Sequence, residues 1–540
     1  DEHAEIIVFE RSGYISYANC GLPYYIGDVI TDPEELTLQT PESFFKRFRI
    51  NMKIHHEVIS IHPERKTVSV KNLENGEIFE EKYDKLILSP GAKPTQPRLP
   101  GVGMDKLFTL RTVEDTFRIK EYINKNHPKS AVLAGGGFIG LELAENLREL
   151  GMDVTIVQRP KQLMNPFDPD MASMIHNEMR KHGIKLVLGY TVEGFKEKDN
   201  GVEVLLKDNP SLQADMVVLA IGVTPDTVLA KEAGLELGIK ESIVVNDRME
   251  TSVPDIYAAG DAVQVKHYVT GDDALISLAG PANKQGRIIA DNICGGDSHY
   301  LGSQGSSVIK VFDMTAATTG INETNAKKSG LEVDTVILSP MSHAGYYPGG
   351  KVMTMKVVFE KETYRLLGAQ IIGYEGVDKR IDVLATAIHA GLKATQLKDL
   401  DLAYAPPYSS AKDPVNMAGF MIDNIAKGTL KQWHLEDMDK ISRDKSIVLL
   451  DVRTVGEFNR GHMDGFRNIP VDELRERINE IEKGKPVYLI CQSGLRSYIA
   501  SRILEGNGYE TYNFSGGFRF YDAVVNDRAL IERAYACGMD

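Results

Sequence analysis

One stretch near the first quarter of the chain restricts the fold more than any other. It contains an apolar strand, AVLAGG, a glycine turn, a helix-forming segment, FIGLELAENLREL, and a second strand, DVTIVQR, which closes a βαβ unit by Arg159. Gly135, Gly137 and Gly140 give this unit a G-x-G-x-x-G turn. In such a turn the first glycine permits the tight bend, the second lets the backbone approach a pyrophosphate, and the third allows close helix packing. The pattern therefore predicts a dinucleotide-binding domain.

The end of the second strand bears on which nicotinamide dinucleotide is bound. Gln158 stands where an acidic residue would accept hydrogen bonds from an NAD ribose, and Arg159 and Lys161 follow it. Basic residues at this place suit the 2′-phosphate of NADPH, so we expect NADPH to serve as well as, or instead of, NADH. Solvent-exposed surface cations explain the same residues equally well. Gly222, which closes the strand MVVLAIG, is also expected to border the nucleotide.

The whole chain is predicted to be an α/β protein of several domains, because 540 residues exceed what one hydrophobic core organises. EIIVFER and KLILSPG are predicted strands, and IYAAGDAV with the helical segment after it is predicted to return to the same domain. WHLEDMD introduces a separate short domain that starts with SIVLLDVR. The predicted boundaries are 1–125 with 241–303 for a discontinuous first Rossmann-like domain, 126–240 for the second, 304–432 for an α/β block, and 433–540 for the last α/β domain.

Composition and charge argue against several classes of protein. The net charge of −14 opposes nonspecific binding to nucleic acid or to an anionic membrane. No apolar run is long enough to span a bilayer and no signal peptide is recognisable, so we expect a cytoplasmic protein. The four cysteines, at positions 20, 294, 491 and 537, are too few for a disulfide framework and lack paired metal-ligand spacing. No metal site is predicted, and no motif surrounds Cys294 or Cys537.

Two segments outside the βαβ unit carry motifs of a known family. EIIVFER ends in Glu10, and YAAGDAV contains Gly260 and Asp261. With the glycine turn, they make residues 1 to about 430 resemble the pyridine nucleotide-disulfide oxidoreductase superfamily, which implies one domain for FAD and one for NAD(P)H. In that family Glu10 would grip the adenosine ribose of FAD, and ordinary turn, strand or capping roles are the alternative for these positions. Further positions that the resemblance places near FAD are Arg11, Val58, Ser89, Pro90, Gly91 and Arg111.

The chain begins inside the first nucleotide fold, since no strand, glycine-rich turn and helix precede EIIVFER. In the family, that turn binds the pyrophosphate of FAD. Two explanations stay open at this point: the sequence is truncated at its start, or the chain holds FAD poorly or not at all.

Cys20 lies in YISYANCGLPYYIG, a segment that closely resembles the active site of the single-cysteine branch of this superfamily. That branch includes coenzyme A disulfide reductase and NADH oxidase or peroxidase. No C-x-x-x-x-C pair is present, so the resemblance implies a mixed disulfide between Cys20 and a substrate thiol. A helix N-terminus and the nearby flavin are expected to stabilise the Cys20 thiolate. The alternative is a cysteine that serves as a small buried apolar side chain.

The same branch gives expectations for assembly and for substrate contacts. SHAGYYPG and LAYAPPYSSAKDPVN resemble dimerisation-domain segments that place tyrosines of the partner subunit over the substrate sulfur, which implies a homodimer. We assign this role to Tyr346 and Tyr404, with Tyr347 and Tyr408 as the alternatives, and their phenols would donate a proton or a hydrogen bond to the departing thiolate. Core or interface packing is the alternative for these tyrosines. The positions that match coenzyme A contacts of the family are Ser16, Asn19, Arg47 and Lys412.

Three segments near the end of the chain, LLDVRTVGEF, GHMDGFRNIP and YLICQSGLRSYIASRIL, resemble a single-domain rhodanese. Cys491 opens a loop between a strand and a helix, so its thiolate or persulfide would lie in a nest of backbone N–H groups. Arg496 would add positive charge, and Asp451 and Arg453 would organise the fold. A phosphatase of similar shape is disfavoured, because CQSGLR spans C-x4-R where the phosphate-cradling loop has C-x5-R. A rhodanese fold without activity is disfavoured because the cysteine is present.

Together the two resemblances imply an enzyme of reduced-sulfur metabolism with small thiol or persulfide substrates. Hydride would pass from NAD(P)H to FAD and electrons on to Cys20, while Cys491 would load sulfane sulfur onto coenzyme A or another small thiol. Persulfide or polysulfide reduction ranks above plain coenzyme A disulfide reduction, because a fused sulfurtransferase has no purpose in the latter. Two alternatives stay open: an NADH oxidase or peroxidase that cycles Cys20 through a sulfenic acid, and a sulfurtransferase whose reductase half is inactive.

Overall fold

A computed structural model describes residues 2–199 and 201–537, with side chains described as far as residue 533. The side chain of Cys537 is therefore outside the described residues. By packing, the chain divides into two compact units, Asp1–Leu163 with Gly183–Gly305, and Met164–His182 with Ser306–Asp540. Among the described residues, no helix combines the length and the apolar character needed to cross a bilayer.

The helices and strands alternate along most of the chain. Those before residue 130 are β1 (Ile6–Phe9), β2 (Ser16–Tyr17), α1 (Leu22–Ile26), β3 (Thr37–Gln39), α2 (Pro41–Phe48), β4 (Ile50–Lys53), β5 (His56–His62), β6 (Thr67–Asn72), β7 (Ile78–Lys82), β8 (Leu86–Leu88), β9 (Ala92–Pro94), β10 (Leu107–Thr109) and α3 (Val113–Asn126). Those from 130 to 240 are β11 (Ser130–Ala134), α4 (Phe138–Glu149), β12 (Asp153–Gln158), α5 (Pro169–Lys181), β13 (Lys185–Leu188), β14 (Val192–Lys198), β15 (Gly201–Leu206), β16 (Asn209–Ala214), β17 (Met216–Leu219), β18 (Val223–Pro225) and α6 (Val228–Glu232).

The remaining elements follow in the same way. Those from 241 to 305 are β19 (Ile256–Ala258), β20 (Val265–Lys266), β21 (Asp273–Ala274) and α7 (Ala279–Ile293). Those from 306 to 431 are β22 (Ser307–Val311), β23 (Met314–Gly320), α8 (Glu323–Lys328), β24 (Val333–Leu338), β25 (Thr354–Glu360), β26 (Leu366–Gly373), α9 (Val377–His389) and α10 (Pro414–Ala426). Those from 432 onward are β27 (Gln432–Trp433), α11 (Met438–Ile441), β28 (Val448–Asp451), α12 (Val455–Arg460), β29 (Arg467–Asn468), α13 (Leu474–Arg477), β30 (Val487–Ile490), α14 (Leu495–Glu505), β31 (Thr511–Phe514) and α15 (Gly517–Cys537).

The first unit contains a five-stranded parallel sheet in the order β10-β17-β11-β12-β13. Its central strands β11 and β17 are almost wholly buried and apolar, as expected where a parallel sheet is covered on both faces. The glycine turn of the βαβ unit lies at the carboxyl end of β11, where ligands of open α/β sheets bind.

The other strands of this unit join distant parts of the chain. β8 pairs in parallel with β19, so the backbone after residue 250 returns to the first part of the sequence, as the strand pattern predicts. β1 pairs in parallel with β4, and β5, β6 and β7 form a three-stranded antiparallel sheet. One apolar cluster packs residues of β5, β6 and β19 together, which gives this region a core of its own.

The second unit has two five-stranded sheets. One is antiparallel, in the order β22-β23-β26-β25-β24, and the other is parallel, in the order β27-β31-β30-β28-β29. Trp433, the single tryptophan of the chain, is buried at the start of the parallel sheet and donates from its indole Nε1 to the Leu489 carbonyl at 3.3 Å. This sheet holds the rhodanese-like segments.

Helix α5 packs in the second unit, although it lies between β12 and β13 in sequence. His176 and Arg180 of α5 bind the buried carboxylate of Asp527 in α15, at 2.8 and 2.5 Å. At the start of the helix, Asp168 and Asp170 bind Lys356 of β25, at 3.2 and 2.8 Å. These ion pairs attach α5 to α15 at one end and to the antiparallel sheet at the other.

Lys356 lies at the centre of a buried charge cluster. Its ammonium also contacts Glu323 at 2.7 Å, and its side chain is 2% exposed. Burial alone would lower the pKa of Lys356, but the carboxylates of Asp170, Asp168 and Glu323 outweigh that effect and raise it. The lysine therefore stays charged, and its ammonium offsets the negative charge of the three carboxylates around it.

Lys356→Met is expected to destabilise the second unit by about 3–5 kcal/mol, because removing one partner leaves buried charges without compensation. Urea unfolding followed by the fluorescence of Trp433 measures this change. Lys351→Met, at an exposed position nearby, is the control and should change the free energy of unfolding by less than about 0.5 kcal/mol. A loss below about 1 kcal/mol for Lys356→Met would contradict the account.

Candidate active sites

The glycine turn after β11 has the geometry of a pyrophosphate site. A Cβ on Gly135 would lie 2.2 Å from the Ala220 carbonyl oxygen, and a Cβ on Gly140 would lie 2.2 Å from the Gly135 carbonyl oxygen. Gly137 faces open space instead and stands at the N-terminus of α4. Gly135 and Gly140 are therefore packed against backbone carbonyls, whereas the space beside Gly137 is free for a ligand. Backbone N–H groups and the helix dipole favour an anion there.

At the end of β12, Gln158 has a contact that the sequence did not indicate. The Gln158 side-chain oxygen accepts a hydrogen bond from the Gly136 amide at 3.0 Å, so this residue supports the glycine turn itself. Arg159 is exposed beside it. Gly222, after β17, has φ +109 and open space around it, and its carbonyl accepts from the Thr95 amide at 2.9 Å.

A second ligand edge lies where the parallel strands β8 and β19 end. Ser89, Pro90 and Gly91 follow β8, and Gly260 and Asp261 follow β19, so the strand pairing brings both segments to one edge. Gly91 has φ +69 and Gly260 has φ +80, backbone conformations that favour glycine. Around Gly260 a Cβ would meet nothing within 4 Å, which leaves room for a ligand against the backbone.

Arg111 connects the segment after β8 with the segment after β19. Its Nη2 binds the Asp261 carboxylate at 2.8 Å, and its Nε donates to the Ala92 carbonyl at 3.1 Å. Both charged side chains are partly buried, at 19% and 18% exposure, so the pair is a fixed feature of the edge. The structure therefore gathers the five edge residues named above with Arg111, as the family resemblance implies.

Three other predicted FAD contacts are spread along β1 and β5. Glu10 follows β1, and its carboxylate accepts from the Ser12 amide at 2.7 Å. Arg11 is exposed and pairs with Asp226 at 3.2 Å. Val58 packs against the apolar cluster of the first unit, which is the ordinary strand role left open for it.

Cys20 is exposed in a short turn, Asn19–Gly21, directly before α1. With its amide oriented to satisfy both groups, Asn19 donates to the Arg111 carbonyl at 3.3 Å and accepts from the Arg111 guanidinium at 3.2 Å. The cysteine turn is thereby attached to the Arg111–Asp261 pair. This attachment joins the predicted redox thiol to the predicted flavin edge.

The protonation of Cys20 differs from the sequence-based expectation. Partial burial raises the pKa of the thiol, the Glu142 carboxyl adds to the increase, and the Arg111 guanidinium opposes it. The sequence-based expectation is a thiolate stabilised by a helix N-terminus and the flavin, whereas burial and the Glu142 carboxyl act in the opposite direction. The residues of the chain alone therefore favour the neutral thiol at pH 7.

Glu142 and Tyr24 are site residues that sequence reasoning missed. α1 packs closely on α4, since a Cβ on Gly27 would lie 2.0 Å from the Asn146 side chain. Burial, with a smaller effect of Glu145, raises the pKa of Glu142 to about 7. Burial likewise raises the pKa of Tyr24 to about 12. The sequence feature that could have indicated this acidic group is the pair Glu142 and Glu145 on α4, the helix that follows the glycine turn.

The predicted tyrosine pair of the second unit is found in contact. The hydroxyls of Tyr346 and Tyr404 are 2.6 Å apart, and the residues are 76% and 46% exposed. Tyr408 and Tyr347 are also exposed, and the Tyr347 ring packs edge-on against His343 with ring centres 5.6 Å apart. The pair is therefore presented to the outside of this chain.

Arg380 explains why the two tyrosine segments meet. Its buried guanidinium donates to the Ser342 carbonyl and to Ser409 Oγ, each at 3.0 Å, and binds Asp413 at 3.0 Å. Ser342 begins one segment, and Ser409 and Asp413 lie in the other. One arginine of α9 thus fixes both loops, a role that no local motif indicated.

The four predicted coenzyme A contacts are not gathered in one place within a unit. Ser16 lies on β2 opposite Gln39, and Arg47 is exposed on α2. Asn19 binds Arg111, as described above. Lys412 is exposed and belongs to the second unit. These four assignments stay predictions.

Cys491 is fully buried in the loop between β30 and α14. Its Sγ accepts from the Gly494 amide at 3.1 Å and from the Ser497 hydroxyl at 3.2 Å. Gly494 has φ +96, so the loop turns in the left-handed region and directs its amide at the sulfur. The Gly494 amide is one backbone N–H of the kind that the sequence predicts around this sulfur, and the Ser497 hydroxyl is a donor that the sequence motif did not reveal.

Asp451 and Arg453 brace the same end of the sheet. Arg453 binds the Asp451 carboxylate at 2.7 Å, and both side chains are almost completely buried. The guanidinium also stacks on Phe518, 3.8 Å from the ring centre. Such a buried pair supports the organising role expected for these residues.

Family models match three consecutive parts of the chain. They describe a pyridine nucleotide-disulphide oxidoreductase over residues 1–286, the dimerisation domain of these enzymes over 306–414, and a rhodanese-like domain over 434–523. A curated relative, coenzyme A disulfide reductase of Staphylococcus aureus strain JH9, is 38% identical over 422 residues, which are 78% of this chain and 94% of that protein. The chain belongs to the pyridine nucleotide-disulphide oxidoreductase family.

Two solved structures resemble this oxidoreductase over nearly its whole length. Reduced Bacillus anthracis CoADR-RHD is 48% identical, covers 98% of this chain and 95% of that one, and has a TM-score of 0.95. The NAD-dependent persulfide reductase from A. fulgidus is 38% identical, covers 96% of each chain, and has a TM-score of 0.90. The predicted fold class, with its dinucleotide-binding, dimerisation and rhodanese parts, is confirmed.

The cofactors of this flavin-dependent oxidoreductase, FAD and NAD(P)H, follow from the family. The residues present fit both groups. The open face of Gly137 suits a dinucleotide pyrophosphate, and the open backbone at Gly260 beside the Arg111–Asp261 pair suits the flavin nucleotide.

Proposed function

We propose that this oxidoreductase uses NAD(P)H to reduce coenzyme A persulfide or polysulfide at Cys20, with coenzyme A disulfide as a second substrate, and transfers sulfane sulfur at Cys491. The observation that carries the proposal is the presence of two unlike thiol sites. Cys20 is exposed beside an ion pair, whereas Cys491 is fully buried with two donors on its sulfur. The similarity to a coenzyme A disulfide reductase and to a persulfide reductase supports the substrate class.

Each cofactor has residues to hold it. The turn of Gly135, Gly137 and Gly140 would hold the pyrophosphate of NAD(P)H, and Arg111 with the Gly260–Asp261 segment would contact FAD. When bound, FAD supplies a carrier that accepts a hydride from the nicotinamide and passes two electrons to sulfur.

The chain's own residues bind and position the substrate sulfur. An exposed Cys20 is accessible to the long arm of coenzyme A and can form a mixed disulfide or trisulfide with it. Tyr346 and Tyr404 of a partner subunit would donate a hydrogen bond to the departing thiolate in a homodimer. Their exposure on the isolated chain agrees with use in trans.

Cys491 would carry the sulfane sulfur as a persulfide. The Gly494 amide and the Ser497 hydroxyl donate to its sulfur and so stabilise a negative charge there. A reducing compartment such as the cytoplasm suits both thiols, and the sparse cysteines agree with it. The net charge of −14 argues against a nucleic-acid partner.

A substrate panel tests the proposal. NADPH and NADH oxidation by the purified chain is measured with coenzyme A persulfide, coenzyme A disulfide and hydrogen peroxide under anaerobic conditions. The proposal expects the highest kcat/KM with the persulfide. Peroxide turnover without any thiol substrate would support the NADH oxidase or peroxidase alternative, and no turnover by a flavin-loaded chain would leave only sulfur transfer.

Gly137→Ala is expected to raise the KM for NAD(P)H at least about tenfold, because the methyl group enters the open space where the pyrophosphate approaches. The fold tolerates this Cβ, so the thermal midpoint should stay within about 2 °C. Gly140→Ala is the contrasting variant, since its Cβ meets the Gly135 carbonyl oxygen and should lower the thermal midpoint as well. An unchanged KM in Gly137→Ala would contradict this placement of the nucleotide.

Glu142→Gln is expected to shift the Cys20 thiol pKa downward, because the Glu142 carboxylate raises it. Glu142 has a pKa of about 7, so it gains negative charge as the pH rises through neutrality and opposes ionisation of the nearby thiol. A glutamine carries no charge at any pH. The rate of Cys20 alkylation against pH measures the shift, and Glu149→Gln, on the same helix, is the control. Equal pH midpoints in all three proteins would contradict the coupling.

A further inference from the structure

The mouth of the Cys491 site is formed by two parallel strands and the loops that follow them. β28 and β30 are neighbours in the sheet, so α12, after β28, and the Cys491 loop, after β30, lie at the same edge. Arg496 is in the first turn of α14, directly after that loop, and Glu457 is in α12. These two side chains meet across the edge.

The contact between them is a complete two-point ion pair. Arg496 Nη1 and Nη2 bind the two Glu457 carboxylate oxygens at 2.7 and 2.8 Å. The same carboxylate accepts from the Thr454 amide at 2.9 Å. The Arg496 guanidinium lowers the pKa of Glu457 to about 2, so the glutamate is charged at every physiological pH.

This pairing changes what Arg496 offers to a sulfur donor. A guanidinium binds an oxyanion through two parallel N–H groups, and here a carboxylate of the chain already occupies that fork. The donors that remain on the sulfur, the Gly494 amide and the Ser497 hydroxyl, suit a single charged sulfur atom. An incoming sulfonate group would meet the negative charge of Glu457.

We propose that Glu457 is a specificity residue that makes the Cys491 site accept sulfane sulfur from persulfides and polysulfides in preference to the oxyanion donor thiosulfate. This inference rests on the proposed function, since it names the donor class for the sulfur-transfer site. The glutamate acts through Arg496, whose charge it neutralises. Persulfides carry their charge on the outer sulfur and have no sulfonate oxygens that would require a free guanidinium.

The chemical step is the same for both donors and is balanced. The Cys491 thiolate attacks the sulfane sulfur, a new S–S bond forms at Cys491, and the donor S–S bond breaks. With a persulfide donor, R–S–S⁻, the leaving group is the thiolate R–S⁻, which is then protonated. With thiosulfate, the leaving group is sulfite. Cyanide can remove the outer sulfur as thiocyanate, which returns Cys491 to its thiolate.

The test compares persulfide and thiosulfate as sulfur donors in one assay, since both yield thiocyanate in the presence of cyanide. Thiocyanate formation is measured for the full-length chain with coenzyme A persulfide or with thiosulfate, in a Cys20→Ser background without nicotinamide. Glu457→Gln, which keeps an acceptor for Thr454, is expected to raise kcat/KM for thiosulfate about tenfold and to change that for the persulfide less than about threefold. Glu457→Asp keeps the charge and should keep the wild-type preference. Glu473→Gln, whose carboxylate pairs with Arg477, is the control for loss of a surface ion pair.

Two results would overturn the inference. One is a Glu457→Gln chain whose kcat/KM for thiosulfate is unchanged or falls together with that for the persulfide. The other needs no variant: a wild-type chain that uses thiosulfate as well as coenzyme A persulfide has no such preference. Neither result depends on NAD(P)H or flavin, so failure of the reductase proposal would be seen separately in the nicotinamide assay.

Discussion

Cys20→Ser is expected to lower NAD(P)H-dependent reduction of coenzyme A persulfide by about a thousandfold or more. A serine hydroxyl cannot form the mixed disulfide or trisulfide through which the substrate sulfur is held. The change is small in volume, and the side chain is exposed, so the fold should be unaffected. Stopped-flow or steady-state nicotinamide oxidation measures the loss.

Two comparisons make this result specific to Cys20. Cys294→Ser, at another exposed cysteine, should keep wild-type reduction of the persulfide. Sulfur transfer from persulfide to cyanide should stay within about twofold in Cys20→Ser, because Cys491 performs it without nicotinamide. If Cys20→Ser retained a tenth or more of the reductase rate, a mechanism that needs the Cys20 thiol would be wrong.

Cys491→Ser is expected to have an equally large effect on the other activity. Sulfur transfer to cyanide should fall by about a thousandfold, since the attacking thiolate that the Gly494 amide and the Ser497 hydroxyl surround is lost. Reduction of coenzyme A persulfide supplied ready-made should stay within about twofold of wild type. Thiocyanate formation and nicotinamide oxidation, measured on the same protein, separate the two activities.

The pair of variants also tests whether the two sites work independently. If Cys491→Ser abolished reduction of the supplied persulfide as well, the sulfur would have to pass through Cys491 before it reached Cys20. Such a result would contradict the proposal that a free coenzyme A persulfide is the substrate of the reductase site.

Features encoded within a few consecutive residues could be predicted from the sequence. The roles of Gly135, Gly137 and Gly140 follow from backbone sterics, and the structure shows two of them closed by neighbouring carbonyls and one open. The Cys491 nest likewise depends on a short loop between a strand and a helix. In both cases, local geometry determines the chemistry.

Features that depend on residues far apart in the sequence could not be predicted. The pairing of Arg496 with Glu457, 39 residues away, neutralises a charge that the motif alone assigns to the site. Arg380 joins two tyrosine loops from a helix between them. Burial of the Cys20 turn, with a further effect of Glu142 on α4, raises the pKa of the thiol that the motif alone predicts to be lowered. Helix α5 packs in a unit other than that of its flanking strands, because its buried charges find partners there.

The visible absorption spectrum of the purified chain tests the central claim most directly. The spectrum is recorded anaerobically as isolated or after reconstitution with FAD, again after NADPH or NADH, and again after coenzyme A persulfide. The account predicts a flavin band that bleaches with the nicotinamide and recovers with the persulfide. A flavin band that bleaches but recovers only with oxygen or peroxide, or a chain that binds no flavin after reconstitution, would contradict it.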